Sequence, residues 1–98
     1  MAIKGIKELE SGFQQTLKEY AKLRGWLYYH TYNSQRSDPG FPDTVLVRGD
    51  RLIFIELKTL KGRVSSAQQI WIDRLSKTYA EVWVFRPSDW KLIEEVLK

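Results

Sequence analysis

The stretch TVLVRGDRLIFIEL, residues 44–57, places two apolar runs on either side of Gly49-Asp50. A Gly-Asp pair between apolar runs is a hairpin signal, and a hairpin fixes which residues oppose one another. With Gly49 and Asp50 as the turn, opposed positions have numbers that add to 99. Val47 then faces Leu52, Val45 faces Phe54, and Asp43 faces Glu56. Directly opposed side chains share a face, with Cβ atoms roughly 4.5–5.5 Å apart. Lys58 follows Glu56 by two residues and lies on that face as well. Two opposed carboxylates repel unless positive charge lies between them. Lys58 could supply it as a structural ion cluster. A hard divalent cation could equally bridge the two acids through oxygen ligands.

The rest of the chain reads as elements around this hairpin. Leu9, Phe13, Leu17, Tyr20 and Ala21 recur at helical spacing, predicting a helix over ~7–24 stopped by Gly25. WLYYHTYN, residues 26–33, suits a strand, and SQRSDPGFP is a polar loop. KTLKGRVSS forms a basic loop leading to a helix over ~66–78, with Trp71, Ile72 and Leu75 on one face. EVWVF is a fourth strand, and Ser88 is placed to cap a last helix ending near Leu97. Helix, three strands, helix, strand, helix describes one α/β domain across residues 1–98.

Several polar residues have both a structural and a chemical reading. Glu10 lies beside the apolar stripe of the first helix, within 20° of Leu17 at about 100° per residue. It is either an acid favourable to the helix dipole or a further ligand beside Asp43 and Glu56. Ser65-Ser66-Ala67-Gln68 fits a capping box. Gln68 also projects on the Trp71 side, from which it could reach the carboxylates. His30 is the sole histidine and reads as a polar strand residue, since no second histidine or cysteine exists to build a zinc site with it. The four tryptophans fall in predicted elements and read as core.

Arg36, Lys61 and Arg63 are loop cations, either solvated or arranged to meet phosphates. With 16 basic against 12 acidic residues the net charge is +4, which favours a polyanionic partner. The absence of cysteine excludes disulfides and thiolate metal sites. No apolar run is long enough to span a bilayer, and MAIKGIKELE lacks the apolar segment of a signal peptide. The expectation is a soluble, cytoplasmic protein with no membrane partner.

Pro42-Asp43, followed after the hairpin by Glu56-Leu57-Lys58, resembles the PD-(D/E)xK signature of metal-dependent nucleases. The wider strings GFPD, RLIFIELKTLKGRVSSAQQIWIDRL and VWVFRPSDW resemble the VRR-NUC branch of that superfamily, with similarity from about Glu10 to Leu97. The resemblance implies a restriction-endonuclease-like αβββαβ core, a mixed sheet flanked by helices, and phosphodiester hydrolysis with Mg²⁺ or Mn²⁺. By the same resemblance Asp43 and Glu56 hold metal and Lys58 assists the attacking water. Glu10 matches the helix acid, with Glu8 and Glu19 as neighbouring alternatives, and Gln68 matches the glutamine after the KGR loop. Arg36, Lys61 and Arg63 are the expected DNA contacts. Stand-alone members are similar to dimeric Holliday junction resolvases, so the expected function is a homodimeric endonuclease acting on branched DNA. A less selective nickase, flap or restriction-like nuclease, or a non-cleaving binding module of the same fold, are the alternatives.

Overall fold

A computed structural model describes residues 10–32 and 35–98, with the backbone alone for Glu10 and Ser11. The hairpin forms in the expected register. Strands β2 (Thr44–Arg48) and β3 (Arg51–Leu57) pair Val45 with Phe54, Val47 with Leu52 and Arg48 with Arg51. Gly49 takes a positive φ of 60° in the turn, a conformation that costs glycine little. Strand β1 (Leu27–His30) runs antiparallel to β2. Thr31 N continues that ladder by donating to Asp43 O at 2.8 Å. Strand β4 (Glu81–Phe85) joins β3 in parallel, so the sheet is mixed, in the order β1-β2-β3-β4. A parallel neighbour requires a crossover, and helix α2 (Ser66–Leu75) provides it.

Period-2 alternation divides the sheet into two unlike faces. Leu46, Ile53, Ile55, Leu57 and Phe85 are buried against Phe13, Leu17 and Ala21 of α1 (Glu10–Leu23) and Ile93 and Leu97 of α3 (Trp90–Leu97). Truncating one of the leucines, isoleucines or phenylalanines among them to alanine costs about 2–5 kcal/mol, because the removed groups leave a cavity. Trp26 is also buried, and its Nε1 donates to Leu97 O at 3.0 Å. The Arg48 guanidinium stacks on Trp26 at 4.3 Å and donates to Arg24 O, Leu97 O and Lys98 O. One arginine thus ties the carbonyl ends of α1 and α3 to the sheet, where positive charge is favourable.

The opposite face carries Leu27, Tyr29, Val45, Val47, Leu52, Phe54 and Glu56, and α2 covers only part of it. Phe41 bridges the gap, edge-on to both Phe54 at 5.6 Å and Trp71 at 4.9 Å. Leu27 remains 72% exposed.

Several expectations need adjustment. The strand expected over 26–33 is regular only over 27–30, with Trp26 withdrawn into the core. Helix α2 stops at Leu75, and its tryptophan is half-buried, as are Trp83 and Trp90, so only Trp26 is a true core tryptophan. Ser88 does not cap α3. It sits inside a 3-10 turn over Pro87–Asp89, where Asp89 Oδ2 accepts from Arg86 N at 2.8 Å. Proline's fixed φ starts that turn one residue earlier than a serine cap would. Residues 7–9 of the first predicted helix, including Glu8 and Leu9, lie outside the described residues. No helix of the described residues is long and apolar enough to cross a membrane.

Candidate active site

The hairpin register brings Asp43 and Glu56 together at the end of the sheet face that α2 overhangs. Asp43 is the residue before β2, set by Pro42, which is fully buried and restricts its own backbone. Glu56 lies inside β3 and is 3% exposed. Lys58 follows β3, its backbone N donating to Phe85 O at 2.9 Å, and its Nζ stands 3.6 Å from Glu56 Oε2. Both readings of Gln68 are realised at once. Ser65 N donates to Gln68 Oε1 and Gln68 N donates to Ser65 Oγ, which completes the capping box. The remaining Gln68 Nε2 donates to Glu56 Oε2 at 3.0 Å. The start of α2 therefore clamps one oxygen of Glu56 through a side chain that is itself locked.

The other oxygens are unserved. Asp43 Oδ1 and Glu56 Oε1 are buried without a hydrogen-bond partner. Leaving a buried acceptor unsatisfied is costly, so each such atom calls for an explanation. Burial, and after it the adjacent Asp43 charge, push the Glu56 carboxyl up to about 8 against the opposing pull of Lys58. In the absence of metal, Glu56 holds a proton near neutral pH, and that proton can be donated to Asp43. A cation between the two acids would replace the proton and satisfy both orphaned oxygens. Carboxylate oxygens suit Mg²⁺ or Mn²⁺ and do not suit a soft metal. Among the described residues no group of three or more His, Cys, Asp or Glu assembles. Glu10 opens α1, but its side chain is outside the described set, as is all of Glu8. Glu19 is exposed and accepts from Gln15 Nε2, away from any such cluster.

Asp43, Glu56 and Gln68 line a cavity of about 540 Å³, whose walls also include Tyr29, Tyr32, Phe41 and Trp71. The loop that closes it is held tightly to α2. Trp71 Nε1 donates to Pro39 O at 3.2 Å. Gly40 has φ +94°, and a Cβ there would lie 2.5 Å from the Ala67 carbonyl. Gly40→Ala is therefore expected to lower stability by about 1–3 kcal/mol and to shift Asp43, three residues on. Thermal melts and cleavage rates together test this, and wild-type values for both would contradict the packing account.

Arg36, Lys61 and Arg63 are exposed, and none of them forms an ion pair among the described residues. Lys61 and Arg63 sit on the loop after Lys58, which Arg86 holds by donating from Nη1 to Thr59 O at 2.7 Å and Gly62 O at 2.6 Å. Arg86 has no sequence signature, because its partners are backbone carbonyls more than twenty positions away. His30 lies on the core-facing side of β1, with Nδ1 2.8 Å from Thr44 Oγ1, and burial lowers its pKa so that it stays neutral. It is the polar strand residue that the sequence implies.

Glu56 also gives the metal-free protein a pH dependence. Its pKa is about 8 in the fold against 4.5 in the reference state. The native state binds the extra proton, so this contribution to stability is complete below pH ~4.5 and is lost as pH rises through ~8. In EDTA the melting temperature should fall from about pH 4.5 to about pH 8 and level off above that, and Glu56→Gln should flatten the fall. Melts of both proteins across that range check it.

The VRR-NUC domain family model matches residues 7–89. A solved structure described as a VRR_NUC domain is similar at 24% identity, with a TM-score of 0.71 over 89% of this chain and 91% of that one, which establishes the shared fold. No curated protein matches the chain. A match across most of the chain, on a mixed sheet that places Asp43, Glu56 and Lys58 together, means that the chain belongs to the VRR-NUC domain family, a nuclease-type domain whose implied substrate is DNA.

Proposed function

We propose that this chain is a Mg²⁺- or Mn²⁺-dependent endonuclease selective for branched DNA such as four-way junctions, working as a homodimer. The observation that carries the metal-dependent chemistry is the pair of half-buried Asp43 and buried Glu56, each with a buried oxygen lacking any partner, beside the Lys58 ammonium. Asp43 and Glu56, with Glu10 as the third candidate, would hold the cation, which when bound supplies Lewis acidity at the phosphate. Gln68 fixes the orientation of the Glu56 carboxylate, a task typical of groups just outside a metal's ligands. Lys58 offers the nearest positive charge for a developing phosphorane or an attacking water. Arg36, Lys61 and Arg63 would track the flanking phosphates.

The dimer reading draws on symmetry and on the uncovered part of the sheet. Resolving a four-way junction takes two matched cuts, and two-fold DNA suits a two-fold protein. Leu27, Val47 and Leu52 form an exposed apolar row on the face left open by α2, at the end away from Asp43. Such a row is commonly covered by a partner.

Cleavage of four-way, flapped and linear DNA of matched sequence, with light scattering of the protein alone and bound, tests these assignments. Preferential paired cuts in the junction by a dimer are expected. A monomer on junction DNA, or preference for linear duplex, would replace this reading with a less selective nuclease. Binding of all three DNAs without any cut in Mg²⁺ or Mn²⁺ would leave a non-cleaving module.

A further inference from the structure

We propose that Tyr29 and Tyr32 form a stacking platform for an unpaired nucleobase next to the phosphate at the Asp43–Glu56 site. The inference rests on the nuclease reading above and adds what the protein recognises beside the cut.

Both residues line the cavity that holds the two carboxylates, Tyr29 from the sheet face that carries Glu56 and Tyr32 from the side of Gln14 and His30. Neither is part of the core: Tyr29 is 59% exposed and Tyr32 is 73% exposed. Tyr29 lies on the same face as Asp43, in the strand position two residues before Thr31, whose backbone pairs with Asp43. The hydroxyl ends of both rings nonetheless have partners. Thr31 Oγ1 donates to Tyr29 Oη at 3.3 Å, and Gln14 Nε2 donates to Tyr32 Oη at 3.2 Å. Tyr32 is further steadied by His30, edge to face at 4.9 Å. Largely exposed rings with a contact at the hydroxyl end lose less freedom than unanchored ones when a flat ligand stacks on them. By contrast Phe41 and Trp71, on the opposite wall, spend their ring contacts on each other and on the loop.

A base inside a duplex has both faces occupied by its neighbours and offers a protein only its edges and its backbone. Exposed tyrosine faces can therefore engage only a base that is unpaired or splayed, as at a junction, flap or gap. Stacking on an aromatic side chain is sequence-tolerant, because every base has a π face. With a phosphate at the carboxylates and a base on the tyrosines, one cavity reads the absence of pairing at the nucleotide to be cut.

The test separates base from backbone. Binding of an oligothymidylate of roughly 12 nucleotides is compared with a tetrahydrofuran abasic strand of equal length and charge, a length within the usual span of single-strand sites. Fluorescence anisotropy in Ca²⁺ measures both, for wild type, Tyr29→Leu, Tyr32→Leu and the double variant, each checked for folding by its melt. Wild type should prefer the base-bearing strand by about tenfold or more, with each single variant reducing the ratio and the double variant removing it. Affinity for the abasic strand should stay constant. An equal ratio in wild type and variants, or no binding of either strand by wild type, overturns the platform. If the double variant fails to fold, the single variants decide. Cleavage in Mg²⁺ is scored separately. Base preference without cleavage removes the nuclease reading and keeps the platform, and cleavage without base preference does the reverse.

Discussion

Replacing Asp43 or Glu56 by alanine is expected to leave a folded protein that binds DNA but cleaves it at least about 10³-fold more slowly. The hairpin brings these two carboxylates together, and their unpartnered oxygens point to a shared cation. Losing one ligand removes several kcal/mol of charge stabilisation at the phosphate, which corresponds to a rate loss of that order. The flanking phosphates are assigned to Arg36, Lys61 and Arg63 and not to either acid, so affinity should change little. Removing a member of a repulsive buried pair should also raise the melting temperature of the metal-free protein at alkaline pH. Gel assays of cleavage and anisotropy of binding, on the same variants, check both halves. Wild-type rates in Mg²⁺ would refute the assignment of these residues.

Lys58→Met is the next most damaging change expected, lowering the rate at saturating DNA by about 10²–10³-fold. Methionine keeps the length and apolar stem of lysine, so packing beneath Glu56 survives while the charge is lost. Arg36→Ala, Lys61→Ala and Arg63→Ala should behave differently. Each should weaken binding and flatten its salt dependence by about one unit of log–log slope per phosphate contact, with the rate at saturation nearly intact. Arg86→Met should mimic the Lys61 and Arg63 losses, because it releases the loop that carries them. Rates at saturating and subsaturating DNA over a salt series distinguish these classes. A Lys58→Met variant impaired only in affinity would make the lysine a phosphate contact.

The hairpin was the most legible part of the chain. A two-residue turn leaves one register, and that register by itself sets Asp43 opposite Glu56. The capping box made Gln68 legible as structure, and its position on α2 made its reach to Glu56 legible as chemistry. What could not be read was set by distant contacts. Gly40 is required by the Ala67 backbone, Arg86 by the Thr59 and Gly62 carbonyls, and Arg48 by the end of α3. None of those pairings leaves a local pattern. The platform tyrosines were equally hidden. WLYYHTY reads as a strand whichever way its aromatics face, and only the fold separates the half-buried Tyr28 from the open Tyr29 and Tyr32.

Mn²⁺ binding measured by electron paramagnetic resonance, on wild type and on Asp43→Asn, tests the central claim without requiring cleavage or any choice of DNA. Wild type should bind Mn²⁺ with an affinity that rises with pH up to about 8, as the proton on Glu56 ceases to compete. Asp43→Asn should lose that binding and its pH dependence. Equal Mn²⁺ affinity in the two proteins would contradict a metal site at Asp43 and Glu56.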